Sequence, residues 1–205
     1  MTADDIAPLF TRADGTFLCA RWGRPIVPVI FGVEEETLAT LKGAIEAVTR
    51  IAGVEIGETD PELGANLMVF FCRDWADLLG VPNLDRLLDD LPGLVHRLTS
   101  AGATRYQTQR YEADGTIRLC ISFVRMDAAM AAQPADAIAL ALAAHMILSW
   151  SDRAFADRSP LAQVNGLAVL QPQIAGVIAA AYDPILPAVA RDPAHAYRLA
   201  ARVQV

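Results

Sequence analysis

Residues 135–150 read ADAIALALAAHMILSW, and this stretch decides how the chain is organised. It is apolar on nearly every face, so it predicts a buried helix from about Pro134 to Trp150. The run is too short to cross a membrane, and Asp136 and Asp152 flank it. Immediately upstream, Tyr106 to Glu112 and Thr116 to Arg125 read as two strands joined by Ala113-Asp114-Gly115, a hairpin signal. Further back, NLMVFFC (66–72) is a buried strand. Glu34 to Ala52 is an amphipathic helix with Leu38, Leu41, Ile45 and Val48 at helical spacing, and Gly53 stops it. RPIVPVIF (24–31) is a strand that Pro25 and Pro28 confine to a sheet edge. Between the strands lies a helical stretch, Trp75 to Gly80 and Leu84 to Ser100, interrupted by Pro82 and Pro92.

Downstream, the polar loop SDRAFADRSP precedes a helix at Gln171 to Ala181, a break at Asp183-Pro184 and a short helix from about Pro193 to Arg202. The order β-α-β-α-β-β-α-α predicts one α+β domain over residues 1–205, with a twisted mixed sheet packed on helices. Within it, residues 1–20 read as an extended N-terminal arm, 21–150 as the sheet-and-helix part, and 151–205 as a helical C-terminal part.

Composition narrows the class. Hydrophobic residues make up 54% and charged residues 20%, the balance of an ordered globular chain. A net charge of −7, with Lys42 the only lysine and arginines scattered singly, excludes the clustered basic surface that nucleic acid needs. The N-terminus MTADDIAPLFTRADG has neither a basic stretch nor an apolar run, so it reads as lacking a signal peptide and the chain as cytoplasmic. Cys19, Cys72 and Cys120 are too dispersed for a disulfide scaffold or a zinc ribbon. Buried free thiols are the plain reading, and a Cys72–Cys120 bridge between neighbouring strands is the alternative.

His145 is the one chemically suggestive residue on the long helix. A zinc peptidase helix carries H-E-x-x-H, since histidines four apart share a metal and the glutamate serves as base. Here Met146 stands at the glutamate position and Ser149 at the second histidine position, so no metal or other cofactor is expected. His96 and His195 have no motif joining them to His145. Asp152 and Arg153, with Asp157 and Arg158, follow the helix and read either as a solvated loop or as the wall of a polar recognition site. Neither Ser149 nor Ser159 has a nucleophile elbow, and no glycine-rich phosphate loop occurs. Trp22, Trp75 and Trp150 read as packing, and Glu34, Glu35 and Glu36 as partners of a helix N-terminus.

The start RWGRPIVPVIFG with ANLMVFF, followed by AAHMILSWSD, RSPLAQVNGLAVLQPQ and AAYDPILPAV, resembles an uncharacterised bacterial family, domain-of-unknown-function family 2927. The likeness runs from about Arg21 to Val189. It implies a zincin-like fold, that of metallopeptidases, with a degenerate metal site, and it implies export, in contrast to the N-terminus. By the same resemblance His145 corresponds to the start of the metallopeptidase motif, Asp152 to the acidic residue after it, and Tyr182-Asp183-Pro184 to the late turn. The expected cleft therefore comprises His145, Ser149, Trp150, Asp152, Arg153 and Tyr182, with no catalytic residue assigned. The expected function is a noncatalytic binding or interaction module for a protein partner or small ligand. The alternative is a hydrolase with an unconventional site around His145, or one acting through Asp152 and Tyr182. The helices at 137–147 and 174–181 either fill the core or leave an apolar face for a partner, a second copy of the chain included.

Overall fold

The computed structural model describes residues 1–58 and 64–203. Its centre is a four-stranded mixed sheet in the order β2-β3-β5-β4, where β2 is Pro28–Phe31, β3 is Leu67–Cys72, β4 is Arg105–Tyr111 and β5 is Ile117–Arg125. β2, β3 and β5 run parallel, and β4 returns antiparallel to β5 along the outer edge. The expected α+β domain with a mixed sheet is thus what the chain forms. The prolines of the first strand place β2 at the opposite edge, where a missing N–H costs no ladder bond.

Both faces of the sheet are covered, which explains why its central strands are apolar throughout. Side chains alternate by strand period: Leu67, Val69, Cys120 and Val124 face one layer, while Phe70, Cys72, Ile121 and Phe123 face the other. The first layer holds α2 (Glu35–Ala52), which follows β1 (Cys19–Ala20) and β2 in the chain. Glu34 precedes α2 without a side-chain capping bond, Glu35 and Glu36 fill its first turn, and Leu41, Ile45 and Val48 bury its apolar stripe. Gly53 ends it with φ +68, a conformation that glycine adopts without penalty, while Val54 donates back to the Thr49 carbonyl. The opposite layer holds a 3-10 turn at Trp75–Gly80, α3 (Leu84–Leu87) and α4 (Leu91–Ser100). Pro92 does not interrupt this region as expected. It lies in the first turn of α4, where its absent N–H has no partner to lose, and the break falls at residues 88–90.

After α5 (Ala128–Ala131), the decisive helix α6 spans Ala135–Met146 and lies against α2. It is shorter than the pattern predicts. Leu148 is drawn into a bridge with Arg21, and Ser149 is stitched to β1: its N–H donates to the Ala20 carbonyl at 3.0 Å, its hydroxyl donates to the Leu18 carbonyl at 3.1 Å, and it accepts from the Ala20 N–H at 2.7 Å. Those bonds outcompete helix continuation. Ser149 therefore is not one helical turn beyond His145, and the spacing argument that pairs them does not apply.

Two boundary expectations are corrected. Residues 1–20 are not an extended arm: Thr2 and Asp5 form a capping box for α1 (Ala3–Phe10), which buries Ile6, Leu9 and Phe10. Residues 151–203 are not purely helical either. Asn165 (φ 51) and Gly166 (φ 81) form the turn of a hairpin between β6 (Leu161–Val164) and β7 (Leu167–Leu170), where two positive φ values match the twist of the flanking strands. α7 (Pro172–Ala181) then leads to β8 (Val189–Ala190), which pairs with β1, and to α8 (His195–Ala200), which packs on α1. The apolar faces of α6 and α7 are consumed in the core.

The three cysteines are free and buried. Cys120 lies opposite Leu67 and Cys72 opposite Arg125, an offset of roughly 16 Å along the strands at about 3.3 Å per residue. That exceeds disulfide reach, so the bridge alternative is overturned. Among the described residues no helix is long and apolar enough to cross a membrane.

Because Ser149 is fully enclosed and its hydroxyl serves two backbone groups of the β1 strand region, Ser149→Ala strands a buried donor and acceptor. Urea denaturation is expected to show a loss of about 1–3 kcal/mol with native secondary structure retained.

Candidate functional site

The last carbonyls of a helix need partners, and those of α6 end inside the protein. Side chains supply them in sequence. Ala144 accepts from Trp150 Nε1 (2.8 Å), His145 from Gln107 Nε2 (3.2 Å), Met146 from Trp22 Nε1 (3.0 Å), Ile147 from the Tyr182 hydroxyl (2.7 Å) and Leu148 from Gln109 Nε2 (3.2 Å). This run of bonds fixes the distance between α6 and the edge strand β4.

Between them opens a cleft of about 820 Å³. β4 forms one wall, with Arg105, Gln107 and Gln109 turned toward α6. Leu142, His145, Trp150 and Phe155 form the other, and Arg12, Asp14 and Asp152 stand at one end. Trp150 is stacked on Phe10 (5.1 Å between ring centres) and meets Phe155 edge-on, so this wall is rigid. The strand edge itself is open. Arg125 donates to the Thr104 carbonyl and Cys120 donates to Asn66 on the β3 side, which puts the ladder bonds of β4 on residues 104, 106 and 108. The backbone groups of Arg105, Gln107 and Gln109 consequently point outward, and among the described residues they have no partner.

Three of the six expected residues reach the cleft. His145 lines it, half-buried, with its ring edge-on to Phe155 at 4.7 Å. Burial pushes its imidazole down to about 4, and the neighbouring Arg105 charge adds to the effect. It is thus neutral at physiological pH. Trp150 is a wall residue, and exposed Asp152 accepts from the Ala13 N–H at 3.2 Å at the cleft mouth. The other three are elsewhere. Ser149 is a structural hydroxyl, and exposed Arg153 is not among the residues lining the cleft. Tyr182 is enclosed behind α6, donating to Ile147 and accepting from the Trp22 N–H at 3.2 Å, and burial raises its phenol pKa. Asp152 and Tyr182 therefore do not share a site. Asp183, after Tyr182, is held by Arg202 at 2.5 Å and by the Ile185 N–H.

The donor set does not suit a catalytic zinc. Among the described residues no three of His, Cys, Asp and Glu converge, and His145 has neither a second histidine nor a glutamate beside it. The thiols offer nothing either, since burial raises Cys19 and Cys120 to about 12 and Cys72 to about 11.

Sequence reading missed the β4 wall. RYQTQRY carries polar side chains on both faces, unlike a buried strand, and that departure from alternation is the signal of an edge facing a cleft. A second cavity, about 760 Å³ and lined mainly by apolar side chains such as Phe31, Met68 and Phe70, opens on the opposite layer. No family model, no curated protein and no solved structure matches this chain.

Two outcomes follow from this geometry. Tyr182→Phe removes the donor to Ile147 and the acceptor of Trp22, so chemical denaturation should show a loss of about 1–3 kcal/mol. As for His145, the unfolded state protonates near 6.5 and the folded state only near 4, so acidification between these values favours unfolding. Stability is expected to fall as pH drops through that window, and His145→Gln to flatten the slope. An imidazole NMR titration of His145 with a midpoint near 6.5 would contradict this.

Proposed function

We propose that the chain is a noncatalytic, metal-independent relative of the zincin metallopeptidases that binds an extended segment of a partner protein along the free edge of β4. The observation that carries this is the row of outward backbone groups on Arg105, Gln107 and Gln109, residues that also line a preformed cleft. An open edge presents alternating donors and acceptors that an added strand satisfies, while pockets along the cleft read its side chains. Support for the zincin-like relation comes from two helices, α2 and α6, packed side by side on one face of a mixed sheet whose antiparallel edge strand borders α6.

The noncatalytic part rests on the chemistry available. His145 is the cleft's only imidazole among the described residues, and no ion pair there joins it to a carboxylate. Ser122 and Thr108 line the cleft without a base arranged to activate them.

The test uses the 15N-labelled protein and a pool of N-acetylated, randomised pentapeptides. Binding is expected to shift the amide resonances of Arg105, Gln107 and Gln109 while the pool stays intact by mass spectrometry. Hydrolysis of the pool, or stoichiometric zinc uptake that is lost in His145→Ala, overturns the noncatalytic reading.

A further inference from the structure

We infer that the cleft recognises a chain end: the free C-terminal carboxylate of the bound segment pairs with Arg105. This rests on the strand-binding reading above and adds the direction and the terminal group of the segment.

Twelve of the sixteen arginines have no carboxylate within ion-pair distance among the described residues, and Arg105 is the one of these whose Nε is buried without a hydrogen-bond partner. Arg24, Arg97, Arg125 and Arg202 are each matched to a carboxylate, on Glu112, Asp90, Asp127 and Asp183 respectively. Arg105 lines the cleft, yet no carboxylate lies within ion-pair distance of it among the described residues. Its Nε is buried with no hydrogen-bond partner, and one terminal nitrogen meets only the Met130 sulfur at 3.9 Å. Desolvation lowers its pKa, the mark of a charge held away from water without compensation. The planar guanidinium keeps its remaining donors for a carboxylate, which it can engage with two parallel bonds.

Position gives the direction. Arg105 opens β4, so an antiparallel added strand has its C-terminal end beside Arg105. The opposite end of the cleft, roughly 20 Å away at about 3.3 Å per residue, carries Arg12, Asp14 and Asp152. Arg12 is engaged there with the Tyr111 hydroxyl at 3.3 Å. The cleft is therefore cationic where the segment ends and predominantly acidic where it enters. That polarity suits a peptide terminating at Arg105 and disfavours the reverse orientation. The outward groups on Arg105, Gln107 and Gln109 match about five residues of extended chain.

The experiment compares three probes by NMR on the 15N-labelled protein: the N-acetylated pentapeptide pool as free acids, the same pool as C-terminal amides, and benzoate. The free-acid pool is expected to bind at least tenfold more tightly than the amide pool and to shift the Arg105 Nε–H resonance. Arg105→Gln should abolish that preference while leaving the β4 amides responsive, and Arg105→Lys should restore part of it. Equal binding of the two pools overturns the carboxylate inference and leaves strand binding standing. Binding of neither pool overturns both. Benzoate binding as tightly as the free acids, without shifts at Gln107 and Gln109, overturns a peptide end as the source of the carboxylate. The comparison of acid with amide is made on the unaltered protein, so it holds even if a variant does not fold.

Discussion

A helix that ends inside a protein leaves carbonyl oxygens that water cannot reach, and the end of α6 is the place where this chain meets that requirement. Many helices solve it locally, with a left-handed glycine and two backbone bonds, as α2 does at Gly53. α6 has no glycine there. The carbonyls of residues 144–148 are satisfied one after another by Trp150, Gln107, Trp22, Tyr182 and Gln109. These donors come from the edge strand, the segment after β1, the residue after α7 and the chain just beyond α6 itself.

One local need thereby organises distant parts of the chain. The indole of Trp22 and the phenol of Tyr182 bring the β1 region and the end of α7 onto the same helix terminus, and the Trp22 backbone N–H also donates to the Tyr182 hydroxyl. Arg21 extends the join, donating to the carbonyls of Ala181 and Asp183 while its guanidinium lies 5.7 Å from the centre of the Tyr182 ring. On the other side, Gln107 and Gln109 hold β4 at the length of a glutamine side chain from α6. The cleft has its width because of those two amides. A shorter side chain at either position would leave a buried carbonyl unpaired, a more costly state than losing one exposed bond.

What the sequence disclosed follows from which interactions are local. Hydrophobic period, proline placement and the Asp-Gly turn located the central strands, the edge position of β2 and helices α2, α6 and α7, because each is set within one stretch of chain. The Asn165-Gly166 turn and the Thr2–Asp5 capping box are equally local, but each serves an element of only four to eight residues, too short to show a clear hydrophobic period. The end of α6 was not legible. Nothing in HMILSW stops a helix; the stop comes from Arg21 and Ala20, well over a hundred residues earlier. The candidate site inherited that error. Ser149 and Tyr182 belong to the packing of the helix end, whereas the cleft is made by Arg105, Gln107 and Gln109, polar residues that no spacing rule marks.

Hydrogen-bond accounting separates structure from function here more sharply than residue type does. Serine, tyrosine and tryptophan, the groups that suggest chemistry on paper, have their polar atoms committed to backbone partners at Ser149, Tyr182, Trp22 and Trp150. Folding has left little polar capacity in reserve, as the near-complete pairing of buried groups in proteins requires. Part of what remains around the cleft lies on one strand: outward backbone groups on alternate residues and a guanidinium without a counter-ion. An open edge beside a desolvated cation is costly to keep if nothing ever occupies it, because such edges invite unwanted pairing and such charges weaken the fold. Their coincidence on β4, beside a rigid aromatic wall, is the physical reason for proposing recognition there and not at His145, whose neutral, half-buried ring sits against Phe155 as part of that wall.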